Sequence, residues 1–105
     1  MKTFTGRVAA ITGAGSGIGR ALAEELARQG AHLALSDIDE VGLAETVRHC
    51  EGAGVKVTSH VLDVADKDAV FMWADEAAGE HGKINLIINN AGVDLSATFE
   101  GASYD

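Results

Sequence analysis

The chain has 105 residues, 47% of them apolar, with 13 glycines, no proline and a formal charge of −8. That composition excludes a disordered segment and a linker, and the negative charge argues against nucleic acid or an anionic membrane surface as a partner. A single cysteine, Cys50, forbids an intrachain disulfide. It fits a reducing compartment, and the expectation is a cytoplasmic protein. The first residues, MKTFTGRVAAITG, read neither as a signal peptide nor as a membrane span, whose apolar core needs about 20 residues.

In chain order, residues 7–12 (RVAAIT) read as a buried strand. Residues 18–29 read as a helix, with Ile18, Leu22 and Leu26 recurring on its inward face and Gly30 as its stop. Residues 31–36 (AHLALS) form a second strand. Residues 40–51 form a second helix capped by Asp39, with Leu43, Val47 and Cys50 on one face and Gly52 and Gly54 ending it. Residues 55–62 (VKVTSHVL) alternate and are β-branched, as a third strand requires. Residues 66–81 form a third helix, with Val70, Trp73, Ala74 and Ala77 inward and Gly82 ending it. Residues 84–88 (INLII) are a fourth strand. The β-α-β-α-β-α-β order implies a parallel sheet with right-handed crossovers. The unbroken apolar runs of the first and fourth strands suit strands covered on both faces. Residues 94–105 read as the start of an unfinished connection.

Thr12-Gly-Ala-Gly-Ser-Gly-Ile-Gly19 joins the first strand to the first helix. Glycines let a backbone turn tightly and approach a pyrophosphate, and a helix amino terminus offers free N–H groups and a positive dipole end. An acidic protein can bind an anion there. The strict G-x-G-x-x-G spacing fails, because Ile18 or Arg20 stands where the third glycine should be; the match is T-G-x-x-x-G-x-G. A P-loop is excluded by the lack of a following Gly-Lys-Ser/Thr.

Asp37 ends the second strand, where a carboxylate accepts hydrogen bonds from an adenosine ribose and repels a 2′-phosphate. Neither Ser16 nor Ile38 is basic, so the expected cofactor is NAD rather than NADP. Asp39 is available as the cap of the next helix. Asp63, before Val64, serves equally as an acceptor for the adenine amino group or as a turn residue. Asn89-Asn90-Ala91-Gly92 follows the fourth strand; its asparagines can tie strand ends together and its small residues leave room for a nucleoside.

Together, TGAGSGIG at 12–19, Asp37, Asp63-Val64 and NNAG at 89–92 resemble the short-chain dehydrogenase/reductase family, classical type. The resemblance runs along essentially the whole chain. It implies a Rossmann-type doubly wound α/β fold with strand order 3-2-1-4, a partial NAD-binding domain spanning 1–105 and incomplete at its carboxyl end. The implied cofactor contacts are Gly13, Gly17 and Gly19 in the loop, Ser16 and Ile18 on the pyrophosphate through their backbone, and Asp37 on the ribose. Asp63 and Val64 would hold adenine, and Asn90, Ala91 and Gly92 would line the nucleoside pocket. The implied activity is hydride transfer between nicotinamide and an alcohol or carbonyl substrate, in an enzyme expected to be a homo-oligomer. The family's Tyr-x-x-x-Lys pair, serine and further asparagine are expected downstream of NNAG, so no catalytic residue is assigned in this chain. Tyr104 would need a lysine at position 108, and Ser96 and Ser103 read as loop residues. The implied strand order puts the fourth strand at an edge, apolar and without an internal charge or proline to protect it.

His32, His49, His60 and His81 show no metal spacing, and no metal ligand is assigned; His49 and His81 sit near helix ends where positive charge is favoured. Two other readings fit parts of the pattern. Gly13-Ala-Gly-Ser-Gly17 satisfies the G-x-G-x-G of an S-adenosylmethionine-dependent methyltransferase, although Ile11 stands where that class has an acid. A non-catalytic nucleotide-binding module is also compatible.

Overall fold

A computed structural model describes residues 2–91. In it four strands and three helices alternate: β1 (Val8–Thr12), α1 (Gly17–Arg28), β2 (His32–Asp37), α2 (Glu40–Glu51), β3 (Val57–Val61), α3 (Lys67–His81) and β4 (Leu86–Asn89). The strands form one parallel sheet in the order β3-β2-β1-β4, as the family resemblance implied. Every adjacent pair runs parallel, with Ile11 opposite Leu35 on one side and Ile88 on the other.

Strand period fixes the layers. Ala9, Ile11, Leu33 and Leu35 point to one face and pack with Ala23, Leu26 and Ala27 of α1 and Leu43 and Cys50 of α2. Ala10 and Ala34 point to the other face, where Val70, Trp73 and Ala77 of α3 cover them. The sheet is therefore clad on both sides, and all five residues of β1 are buried. The two small residues, Ala10 and Ala34, leave room for the Trp73 indole, which is 2% exposed.

The helix ends are closed as the residue types dictate. Asp39 accepts from the Gly42 N–H at 3.1 Å and Asp66 from the Ala69 N–H at 3.2 Å, so both aspartates cap. Gly82 ends α3 with φ +80°, a left-handed conformation that favours glycine. Cys50 is sealed in the core, and burial, with Glu24 nearby, pushes its thiol up to about 11. It is a packing residue with almost no thiolate at neutral pH.

Three sequence expectations need correction. Ile18 does not lie on the inward face of α1: it is 70% exposed, and the buried stripe is Gly19, Ala23, Leu26 and Ala27. The reason lies in the loop, which Gly19 rather than Ile18 must approach. β4 is covered on one face only among the described residues: Leu86 and Ile88 pack inward, while Ile87 is 47% exposed. Finally, His81 at the end of α3 is not favoured in its charged form. Burial holds its pKa below 6.5, and the nearby Lys56 ammonium adds to the effect. Its Nε2 lies 2.8 Å from the Thr58 hydroxyl.

A depressed histidine pKa makes the folded state bind fewer protons than the unfolded chain near pH 6. The associated stability is present above the unfolded value of 6.5 and is lost as pH falls through the lower folded value. Urea unfolding of the full-length protein from about pH 8 to about pH 5 should show declining stability in this window. The decline should be smaller in His81→Gln, which keeps a polar side chain beside Thr58 but does not titrate. An equal decline in both proteins would remove His81 from the account.

Candidate functional site: the carboxyl end of the sheet

The loop after β1 (residues 13–16) leaves the sheet beside the ends of β2 and β4. Its glycines do different jobs. Gly13 turns with φ +65°, and a Cβ on it would come within 3.0 Å of Asn90 Nδ2 and 3.3 Å of the Ala91 nitrogen. A Cβ on Gly15 would meet Asp37 Oδ2 at 2.9 Å. Gly17 has φ +53° and nothing within 4 Å of its missing side chain. A Cβ on Gly19 would sit 1.9 Å from the Gly13 carbonyl oxygen, a distance no side-chain rotation can relieve because the neighbour is backbone. The glycines at 13, 15 and 19 thus let three pieces of chain touch, and only Gly17 faces open space.

At the amino end of α1, Ser16 is extended and its side chain makes no capping bond. Ser16, Gly17 and Ile18 are all exposed. The N–H groups of the first helical turn have no partner inside the helix, so an acceptor from outside can satisfy them. The 70% exposure of Ile18 follows, because its backbone lies at this open end.

The ends of β1 and β4 are laced together by the residues of the NNAG motif. Thr12 donates its hydroxyl to Asn89 Oδ1 at 3.2 Å and accepts from the Ala91 N–H at 3.1 Å. Asn90 donates from Nδ2 to the Gly13 carbonyl at 3.1 Å. The strand-tying role expected of the asparagines is what the geometry shows. Gly92, Ser96, Ser103 and Tyr104 lie outside the described residues.

Asp37 stands at the end of β2, half-buried. Its Oδ2 accepts from the Gly15 N–H at 2.7 Å and its Oδ1 from the Asp39 N–H at 2.9 Å. A carboxylate has about four acceptor sites, so two remain. It lines a cavity of about 210 Å³ together with Gly13, Ile38, Leu62, Asp63, Val64 and Ala91. Asp63 Oδ1 accepts from the Ala65 N–H at 2.9 Å, so the turn role of this residue is real, and it also faces the cavity. Of the sequence-predicted residues, Gly13, Asp37, Asp63, Val64 and Ala91 thus meet in one pocket; Asn90 stands behind Gly13, and Ser16 to Gly19 form the adjoining helix end.

Three participants escaped the sequence reading. Arg20 reaches back from α1 to the Gly15 carbonyl at 2.7 Å. Thr46, fully buried in α2, donates to the Ala14 carbonyl at 2.8 Å. Asn85 pairs with the start of β1, its Oδ1 accepting from the Val8 N–H at 2.8 Å. Among these, Arg20 alone carried a visible signal, a cation in the first turn of a helix whose amino end disfavours positive charge.

The short chain dehydrogenase family model matches residues 7–104. The chain belongs to the short chain dehydrogenase family. That membership sets aside the methyltransferase reading. SadH of Mycobacterium tuberculosis, named as an oxidoreductase, is 46% identical over 104 residues; the match covers 99% of this chain and 38% of SadH. Human estradiol 17-beta-dehydrogenase 11 is 42% identical over 101 residues, covering 92% of this chain and 34% of the relative. The chain thus spans little more than a third of the length of these two relatives. Among solved structures, NAD+-bound xylitol dehydrogenase superposes with a TM-score of 0.84 at 38% identity, over 88% of this chain and 35% of that one. Carveol dehydrogenase from Mycobacterium avium, solved with NAD, gives a TM-score of 0.85 at 30% identity, over 89% and 38% of the two chains. Among the described residues, no helix is long and apolar enough to cross a membrane.

The glycine contacts predict opposite outcomes for two identical substitutions. Gly19→Ala should destabilise the fold by about 1–3 kcal/mol or more, because helix and loop must part. Gly79, inside α3, has nothing within 4 Å of its missing side chain, so Gly79→Ala should stabilise by about 0.5–1 kcal/mol. Urea midpoints of the two variants should move in opposite directions.

Proposed function

We propose that this chain holds the adenosine and pyrophosphate half of NAD for an oxidoreductase that transfers hydride to or from an alcohol or carbonyl carbon. The observation that carries the reading is the Asp37 carboxylate, fixed at the cavity wall by two backbone N–H groups and still able to accept two more hydrogen bonds. The residues present fit such a group. The cavity of about 210 Å³ lies between Asp37 and Asp63, and a Cβ at Gly17 would project into the open space at the end of α1.

In this reading Asp37 accepts from the ribose hydroxyls. The N–H groups of Ser16 and Ile18, at the positive end of α1, take the pyrophosphate, which lets a protein of charge −8 bind an anion. Asp63 accepts from the adenine amino group, Val64 packs on the base, and Asn90, Ala91 and Gly92 border the nucleoside. The bound dinucleotide supplies the hydride chemistry. No general acid or base is assigned among residues 1–105, and the complete enzyme is expected to be a homo-oligomer. With its lone cysteine buried and protonated, the chain suits the cytoplasm.

Preference for NAD over NADP follows from charge. A 2′-phosphate beside Asp37 would face a carboxylate, and the adjacent Ile38 offers no counter-charge. In the full-length protein NADH should bind at least about tenfold more tightly than NADPH. Asp37→Ala should weaken NADH and narrow that gap. Equal affinity of the unmutated protein for the two cofactors, measured by fluorescence titration, would sink the assignment.

A further inference from the structure

Gly15 is gripped from both sides. Its N–H donates to Asp37 Oδ2 at 2.7 Å, and its carbonyl accepts from Arg20 Nη2 at 2.7 Å. The same Arg20 nitrogen reaches the Gly42 carbonyl at 3.1 Å, while Nε donates to the Thr46 hydroxyl at 2.9 Å. Glu45 lies 3.4 Å from the guanidinium, whose side chain is only 25% exposed. The contact between loop and α2 is close enough that a Cβ on Gly42 would stand 2.5 Å from the Gly15 oxygen. One guanidinium thus joins the glycine loop, the first turn of α2 and the buried Thr46. Its two ends are used in different directions, a task for a planar fork rather than a point charge.

We propose that Arg20 is a positioning residue for cofactor selection: by holding the Gly15 carbonyl against α2 it fixes the Gly15 N–H on Oδ2 of Asp37. That bond, with the Asp39 N–H on Oδ1, sets the plane of the carboxylate. The remaining acceptor sites then face the ribose hydroxyls, and the charge faces the position of a 2′-phosphate. Arg20 does this without touching the dinucleotide. The inference rests on the NAD reading given above.

The test uses the full-length protein with NADH, NADPH and 2′-deoxy-NADH as ligands, in the unmutated form and in Arg20→Lys, Thr46→Val, Asp37→Ala and the Arg20→Lys/Asp37→Ala double variant. Lysine keeps the charge and loses the fork. Arg20→Lys should weaken NADH about tenfold and 2′-deoxy-NADH and NADPH by about twofold or less, so that discrimination shrinks. In the Asp37→Ala background the same change should cost NADH no more than about twofold. Thr46→Val preserves shape and removes the acceptor for Nε; it should shift the selectivity in the same direction by about threefold. It also carries the test if Arg20→Lys does not fold. A merely structural arginine would weaken all three ligands equally, and a merely electrostatic one would be replaced by lysine without loss. Either result overturns the proposal, as does an NADH loss undiminished without Asp37, or a Thr46→Val protein with unmutated selectivity. If the unmutated protein itself fails to prefer NADH, the NAD reading falls first; if it prefers NADH and the variants keep that preference, only the role of Arg20 falls.

Discussion

The architecture at the carboxyl end of the sheet depends on how closely α1 approaches the loop that precedes it. A hydrogen is the largest side chain that fits between residue 19 and the Gly13 carbonyl. This approach sets where the first helical turn starts, next to a Ser16 that makes no side-chain cap bond, and leaves Ile18 in solvent. It also brings Gly13 within reach of Asn90, so the end of β4 is located by the same contact. A helix end open to an anion is the by-product of packing that is steric in origin.

Asp37 shows the same economy in polar terms. Its carboxylate closes a loop and starts a turn, two tasks that any short acceptor could perform. An ionised acceptor strengthens both bonds and leaves surplus acceptor capacity at a cavity wall. In the proposed reading, structure and recognition use one group, and a substitution there would disturb both at once. By contrast, Asp39 and Asp66 spend their side chains on helix caps.

Element types, the cap at Asp39 and the strand-end positions of Asp37, Asp63 and Asn90 were legible in the sequence, because they follow from local period and turn chemistry. Strand order came from the family resemblance; periodicity alone is silent about which strands are neighbours. What escaped was set by distant contacts. Thr46 reads as an ordinary helix residue, yet it is buried because the Ala14 carbonyl, 32 residues away, needs a donor. Arg20 reads as a helix cation, and only the arrival of α2 adds the Gly42 carbonyl and the Thr46 hydroxyl to the Gly15 carbonyl as its acceptors. The inward place given to Ile18 failed because a spacing of four fits several stripes on one helix, and steric closeness at Gly19 chose the other. His81 failed in the same way: the helix end favours its charge, but the loss of water on burial, with Lys56 from a distant part of the chain, outweighs it.

β1 lies at the centre of the sheet, and its side toward β4 is closed by residues 77 positions later in the chain. On a ribosome adding about 5–20 residues per second, roughly 4–15 s separate the emergence of Val8 from that of Asn85. During that interval the strand that ends up fully buried has β2 on one flank at best and an open row of backbone donors and acceptors on the other. Its alanines, Ala9 and Ala10, offer a nascent chain little to stick to, whereas a run of larger residues would expose far more apolar surface while the partner strand is still unmade. The small side chains that let helices lie close to the finished sheet thus also limit its exposure to misassembly during synthesis.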